Sequence, residues 1–229
     1  MLHLLTSEVE VIKTSIKSND VIFDVGAFNG EWSQAVIQEH KNVCVHQFEP
    51  MEESFKVLSS LFVEGCKTNK IFQNNLALSD VRAKVKFYYY PFLPVLSTKY
   101  RRPKYIEDKF SLKVKECEVN TTTLDLYCEE KEIQKIDFLK IDAEGSELAI
   151  LKGASSLLKE GKVKNIQFEY GACFYDAGIT FEQVWLFLHS FDFIVFEICS
   201  DKLKCIEKPE DFLTDYSTVT GNCLAMRKK

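Results

Sequence analysis

Val21-Ile22-Phe23-Asp24-Val25-Gly26-Ala27-Phe28-Asn29-Gly30 is the stretch on which the fold turns. Its first half is a short apolar run, the pattern of a strand buried on both faces of a parallel sheet. Gly26 and Gly30 end the run, and a helical pattern follows to about residue 40. Glycines at such a junction let the backbone turn sharply and approach a ligand, and the free N–H groups at the helix start favour polar or anionic groups. A lone glycine turn is often only a tight loop, so the flanking sequence has to decide.

Outward from this stretch the same alternation recurs. Residues 4–16 place Leu4, Leu5, Val9, Ile12 and Ile16 at helical spacing, and Ser18-Asn19-Asp20 breaks the pattern. Residues 43–48 read as a second strand ending at Glu49-Pro50. Residues 51–63 carry Met51, Phe55, Leu58 and Phe62 on one helical stripe, and Ile71-Phe72 begins a third strand. A second half runs from a strand at Ile136–Ile141 through a helix at 147–158, a strand at 163–169 and a helix at 181–189. The strands Phe193–Ile198 and 223–226 close it. The predicted fold is α/β: a doubly wound, mostly parallel sheet with helices on both faces. It forms one domain over 1–229, with an N-terminal helix within 1–18. Residues 85–120 do not fit the alternation. Two strand-like runs, 85–90 and 114–119, flank residues 91–111, which hold three of the five prolines and the cluster Lys99, Arg101, Arg102 and Lys104. This segment reads either as a mobile, acceptor-specific insertion or as a solvated connector.

Composition bounds the function. The 229 residues carry 29 Lys+Arg against 34 Asp+Glu, a net charge of −5, which argues against a dedicated nucleic-acid binder. No apolar run approaches the roughly 18 residues of a membrane span, and the N-terminus lacks the basic region of a secretory signal. The expectation is a cytoplasmic protein with no membrane partner. The eight cysteines form no C-x-x-C pair and read as reduced, packed thiols. Among the four histidines none has metal-ligand spacing, and His46 reads as a core residue.

Three groups of residues carry the chemistry. The glycine turn is the first. Glu49, nineteen residues beyond Gly30 at a strand end, can accept both hydroxyls of a ribose. A phosphate-binding P-loop is excluded, because Glu31-Trp32-Ser33 follows Gly30. Lys140-Ile141-Asp142-Ala143-Glu144-Gly145-Ser146-Glu147 places acids at another strand end, where the ligand crevice should lie, and Glu169 ends the next strand facing it. These residues alone also suit an NAD-dependent oxidoreductase or a non-catalytic nucleoside-binding protein.

The chain resembles the FkbM-type methyltransferases from about Asp20 to Gly171. The resemblance rests on Thr123-Leu124-Asp125, the stretch Ile136 to Glu147, Leu151-Lys152-Gly153-Ala154, Phe48-Glu49-Pro50 and the run Asn75 to Asp80. It implies an S-adenosylmethionine-dependent enzyme with a seven-stranded Rossmann-like sheet whose last strand is antiparallel. Asp24, Gly26, Ala27, Asn29 and Gly30 would line the methionine end of the cofactor. Glu49 would hold the ribose, Asn75 and Ala77 would flank the adenine, and Asp142 would lie near the sulfonium. The family implies O-methylation of a hydroxyl on a carbohydrate or natural-product-like acceptor. Asp142, Glu144 and Glu169 are the candidate catalytic residues. No metal site is assigned, although Asp142 and Glu169 offer oxygen ligands for a divalent ion as an alternative. A further reading has the basic cluster at 99–104 meeting an anionic sugar or sugar-phosphate acceptor.

Overall fold

The computed structural model describes residues 5–62, 68–212 and 221–228. Helix α1 (Thr6–Ser15) precedes strand β1 (Val21–Val25), helix α2 (Glu31–Glu39), strand β2 (Cys44–Phe48), helix α3 (Glu52–Leu61) and strand β3 (Lys70–Asn74). A smaller sheet follows, with β4 (Ala77–Leu78), β5 (Ala83–Tyr89), helix α4 (Lys104–Lys109) and β6 (Lys115–Thr122). Helix α5 (Leu124–Glu130) leads back to β7 (Ile136–Ile141), α6 (Glu147–Lys152), α7 (Ser155–Lys159) and β8 (Val163–Tyr170). The chain continues with α8 (Ala172–Ala177), α9 (Phe181–His189), β9 (Phe193–Ile198), β10 (Leu203–Cys205) and β11 (Gly221–Arg227).

The main sheet has the order β10-β9-β11-β8-β7-β1-β2-β3, eight strands rather than the seven expected. The extra strand is the short β10, which turns back from β9 and pairs antiparallel with it. Three exposed residues carry no apolar pattern to announce a strand. β11 inserts between β8 and β9, antiparallel to both, so the antiparallel final strand is present. β1, β2, β3, β7 and β8 are mutually parallel.

The central strands are buried on both faces, as β7 shows with all six residues buried. Alternation along each strand sends neighbours to opposite layers. Phe23, Val25, Leu139 and Ile141 join one core cluster, while Ile22, Val45 and Phe138 join the other with Val11, Ile12 and Trp32. His46 sits in the core as expected, stacked between Phe23 and Phe72 with its Nδ1 2.9 Å from Tyr127 Oη. Burial lowers its pKa to about 4, so it stays neutral.

Three boundaries differ from the sequence reading. The N-terminal helix occupies Thr6–Ser15 only, and residues 1–4 lie outside the described residues, as does the end of the 51–63 stripe. The helix expected over 147–158 is two, α6 and α7. Gly153 lies between them, and a Cβ there would fall 2.1 Å from the Ser79 carbonyl oxygen, so only glycine permits that approach. The cysteines among the described residues are all free, and Cys66 lies outside them.

Candidate active site

Connections from β1 run toward β2 and β3, and those from β7 toward β8, so the chain reverses direction between β1 and β7. Such a switch point opens a crevice at the carboxyl ends of the strands. Val25 pairs with both Phe48 and Ile141, so β1, β2 and β7 end level with one another. Gly26, Glu49 and Asp142 therefore leave the sheet side by side. Gly26 and Ala27 donate their N–H groups to the Phe48 carbonyl, each at 3.0 Å, and Asp142 N donates to Val25 O at 3.0 Å. Gly26 has φ +78°, and a Cβ would stand 1.8 Å from the Asp142 carbonyl oxygen. The turn can pass this close to β7 only as glycine.

A cavity of about 280 Å³ occupies this crevice. Of the sequence-predicted residues, Gly26, Glu49, Ala77, Asp142, Glu144 and Glu169 line it. Asp24, Ala27, Asn29, Gly30 and Asn75 do not. Asn29 binds Glu31 instead, and Gly30 packs beneath Leu58 and Phe62. Asn75 donates to the carbonyls of Glu49 and Pro50, fixing the β2 exit rather than facing the cavity, while its neighbour Leu76 lines it.

Glu49 accepts hydrogen bonds from Phe28 N (3.0 Å) and Met51 N (2.8 Å), which fix its carboxylate at the cavity edge. Burial pushes its pKa up to about 7, against the opposing pull of those two N–H groups. Asp24 is completely buried below the turn, accepts from Ser33 Oγ at 2.5 Å, and faces Lys140 across the β1–β7 pair. Its Oδ1 has no hydrogen-bond partner and lies 3.6 Å from Lys140 Nζ. Lys140 also contacts Asp142 Oδ2 at 3.1 Å. Burial opposes the charge of Lys140, but Asp142 and Asp24 outweigh it and hold the ammonium above the usual lysine range.

The loop after β7 is held from inside. Glu147, fully buried, accepts from Ala143 N and Gly145 N, both at 2.9 Å, and burial lifts its pKa to about 8. Glu144 takes φ +51°, an uncommon backbone for a non-glycine residue. Two residues of the 91–111 segment grip it: Thr98 Oγ1 donates to its carbonyl at 2.6 Å, and Arg102 forks between its carboxylate and Asp176. The segment also gives the cavity Pro94, Val95 and Ser97, so it is no solvated connector. Arg101 is bound to Glu107 through two 3.0 Å hydrogen bonds. Both arginines are thus engaged by the chain's own carboxylates, which removes them as receptors for an anionic acceptor.

Glu169 is a half-buried acid at the end of β8. Burial, then the charges of Asp142 and Glu144, raise its pKa to about 10. Ligand atoms of Glu144, Glu169 and Cys173 lie within 4.8 Å of one another. They make a poor metal cradle, since burial holds the Cys173 thiol far above its usual range and Arg102 already places a cation on Glu144. Lys140, Glu147 and Arg102 act as supports of the site, a role the sequence does not assign to them. Lys140 had a signal: a lysine inside an apolar strand, two residues before Asp142, as Asp24 stands two before Gly26.

The doubly wound sheet, its crevice at the switch point and the acid set suited to a cationic nucleoside define a Rossmann-like methyltransferase. The model of the methyltransferase FkbM domain matches residues 24–195, three quarters of the chain. The chain belongs to the FkbM methyltransferase family, whose methyl donor is S-adenosylmethionine. This removes the oxidoreductase alternative. No curated protein matches the chain. Among solved structures, SMU.1697c of Streptococcus mutans, provisionally described as a methyltransferase and solved with SAH, aligns with a TM-score of 0.52 and 9% identity, covering 96% of this chain and 95% of that one. TrmK of M. capricolum, solved with S-adenosyl-homocysteine, aligns with a TM-score of 0.50 and 12% identity, covering 99% and 69%. At such identities the likeness concerns the fold alone. No helix among the described residues is long and apolar enough to cross a membrane.

Proposed function

We propose that the chain is an O-methyltransferase acting on an uncharged hydroxyl acceptor, carbohydrate or natural-product-like. In this reading it works as one domain whose 85–120 insertion shapes the acceptor side. The observation that carries it is the cavity lining. Glu49, Asp142, Glu144 and Glu169 contribute four acidic side chains, and no Lys, Arg or His lines it among the described residues. A phosphate-bearing acceptor would meet repulsion there, and a neutral hydroxyl would meet proton acceptors.

The donor supplies, when bound, a methyl carbon carried on a cationic sulfonium. The remaining steps belong to the chain. Glu49 would hold the ribose hydroxyls, and Gly26 and Ala77 would let the backbone lie against the nucleoside. Lys140, held from beneath by Asp24, fixes Asp142, which would face the positive charge. Positioning acceptor oxygen in line with the methyl carbon supplies much of the rate. Glu169 is the base: among the described residues it has no arginine partner, whereas Glu144 is held by Arg102. Its high pKa keeps it protonated in the free chain, and positive charge brought among the three carboxylates lowers it toward a working base.

The test measures S-adenosylhomocysteine binding by calorimetry together with methyl transfer to a panel of neutral and phosphorylated saccharides. Glu169→Gln should leave binding within about threefold and lower turnover by about 10²-fold or more. Turnover confined to phosphorylated acceptors sinks the reading.

A further inference from the structure

Residues 91–113 differ in surface chemistry from the rest of the molecule. In an acidic chain of net charge −5, they carry six cations (Lys99, Arg101, Arg102, Lys104, Lys109, Lys113) against Glu107 and Asp108. The two arginines are spent on internal carboxylates. Lys99, Lys104, Lys109 and Lys113 form no ion pair with the described residues, unlike Lys84 and Lys86 on the adjoining strand β5, which pair with Glu118 and Glu116. The same segment exposes Phe92 (70%), Tyr105 (66%) and Phe110 (55%), with Leu93 and Val95 beside them. Large apolar side chains gathered in one exposed segment mark an interaction surface.

The pairing of lysine with aromatic rings is repeated. Lys113 Nζ lies 5.9 Å from the Phe92 ring centre, Lys109 lies 5.3 Å from that of Phe110, and Lys99 lies 5.8 Å from that of Tyr100. Aromatic and aliphatic groups beside unpaired ammonium groups match the layering of an anionic bilayer interface. Apolar side chains enter the boundary there, and lysines meet the lipid phosphates. A nucleic acid fits less well. Leu93 and Val95 offer bases no stacking face, lysines cover one face of the Phe92 and Phe110 rings, and both arginines of the segment are held by carboxylates.

We propose that the 91–113 segment is an interfacial docking surface for an anionic lipid bilayer. Val95 and Pro94 belong both to this segment and to the cavity lining, so docking brings the cavity mouth to the bilayer surface, where a membrane-held hydroxyl acceptor would be presented. The surface stands on its own residues, independently of the acceptor chemistry. Such a patch contains no continuous apolar run, so it lies outside what the sequence-based expectation of no membrane partner weighs.

The experiment is flotation of the whole protein with vesicles of phosphatidylcholine alone or of equimolar phosphatidylcholine and phosphatidylglycerol. Binding is expected on the anionic vesicles only. Lys104→Glu with Lys109→Glu should weaken it by about 25-fold or more, at about fivefold for each lysine removed. The triple variant Phe92→Ser, Tyr105→Ser and Phe110→Ser should release the protein from vesicles of unchanged charge. Both variants should keep wild-type affinity for S-adenosylhomocysteine, which shows that they fold. Several results overturn the proposal: no binding to anionic vesicles, binding that ignores the aromatic triple, tighter binding to single-stranded RNA than to vesicles, or a solution dimer abolished by the same triple. None of these requires turnover, so a failure here is distinct from a wrong acceptor class.

Discussion

Glu49 is a carboxyl group placed where burial opposes its charge. Its pKa rises from 4.5 to about 7, so the folded chain holds this proton more tightly than the unfolded chain. Its stabilising share is complete below pH 4.5 and is lost as pH rises through about 7. In the proposed ribose-holding role the ligand would act with the opposite sign, because hydroxyls donating to the ionised form favour it. Affinity for S-adenosylhomocysteine should therefore be about tenfold weaker at pH 6 than at pH 8. Titration calorimetry across this range checks it, and Glu49→Gln should bind weakly with a flattened slope. An unchanged slope in that variant would place the titrating group among Glu144, Glu147 and Glu169 instead.

At the scale of elements, the insertion is tied to the β7–α6 loop rather than appended to the sheet. Arg102, only 6% exposed, bridges Glu144 on the β7–α6 loop and Asp176 on α8. Tyr90 Oη receives the Arg102 N–H at 3.0 Å, and Tyr90 also lies 3.2 Å from Glu107, so the arginine is fixed at its own backbone too. Breaking such a buried bridge leaves carboxylates without their counter-charge, at a cost of about 3–5 kcal/mol. Arg102→Met should lower unfolding stability by about that amount and raise hydrogen exchange throughout 91–111. Arg102→Lys should recover part of the loss, since an ammonium cannot span both carboxylates with a fork. Unaltered exchange in the insertion would show that Thr98 alone holds it. The inserted strands β5 and β6 were legible from their alternation. The engagement of Arg102 was not, because charge counts do not reveal which cations face a carboxylate from a distant element.

For the whole molecule, the cavity is lined from the end of β1 to Glu169 on β8, so a donor bound there as proposed would bridge these elements and stabilise the fold by mass action. At about 100 times its dissociation constant, S-adenosylhomocysteine should add about 2.7 kcal/mol. For a chain of this size that raises Tm by about 5–10 °C. A thermal scan with NAD as control checks it, and a shift with NAD alone would contradict the family's chemistry. The sequence by itself determined the doubly wound order, because strands buried on both faces need largely apolar runs and these runs alternate with helical stripes along the chain. It also determined which strand ends carry acids. Only the tertiary structure decided which of those acids share a cavity and which serve as supports. Asp24 and Glu147 turn inward to hold Lys140 and the loop, while Glu49, Asp142, Glu144 and Glu169 face the ligand space. The eighth strand and the role of Arg102 were likewise decided there. Each depends on groups far apart in the chain meeting at a few ångströms, where burial and Coulomb forces act and sequence spacing carries no information.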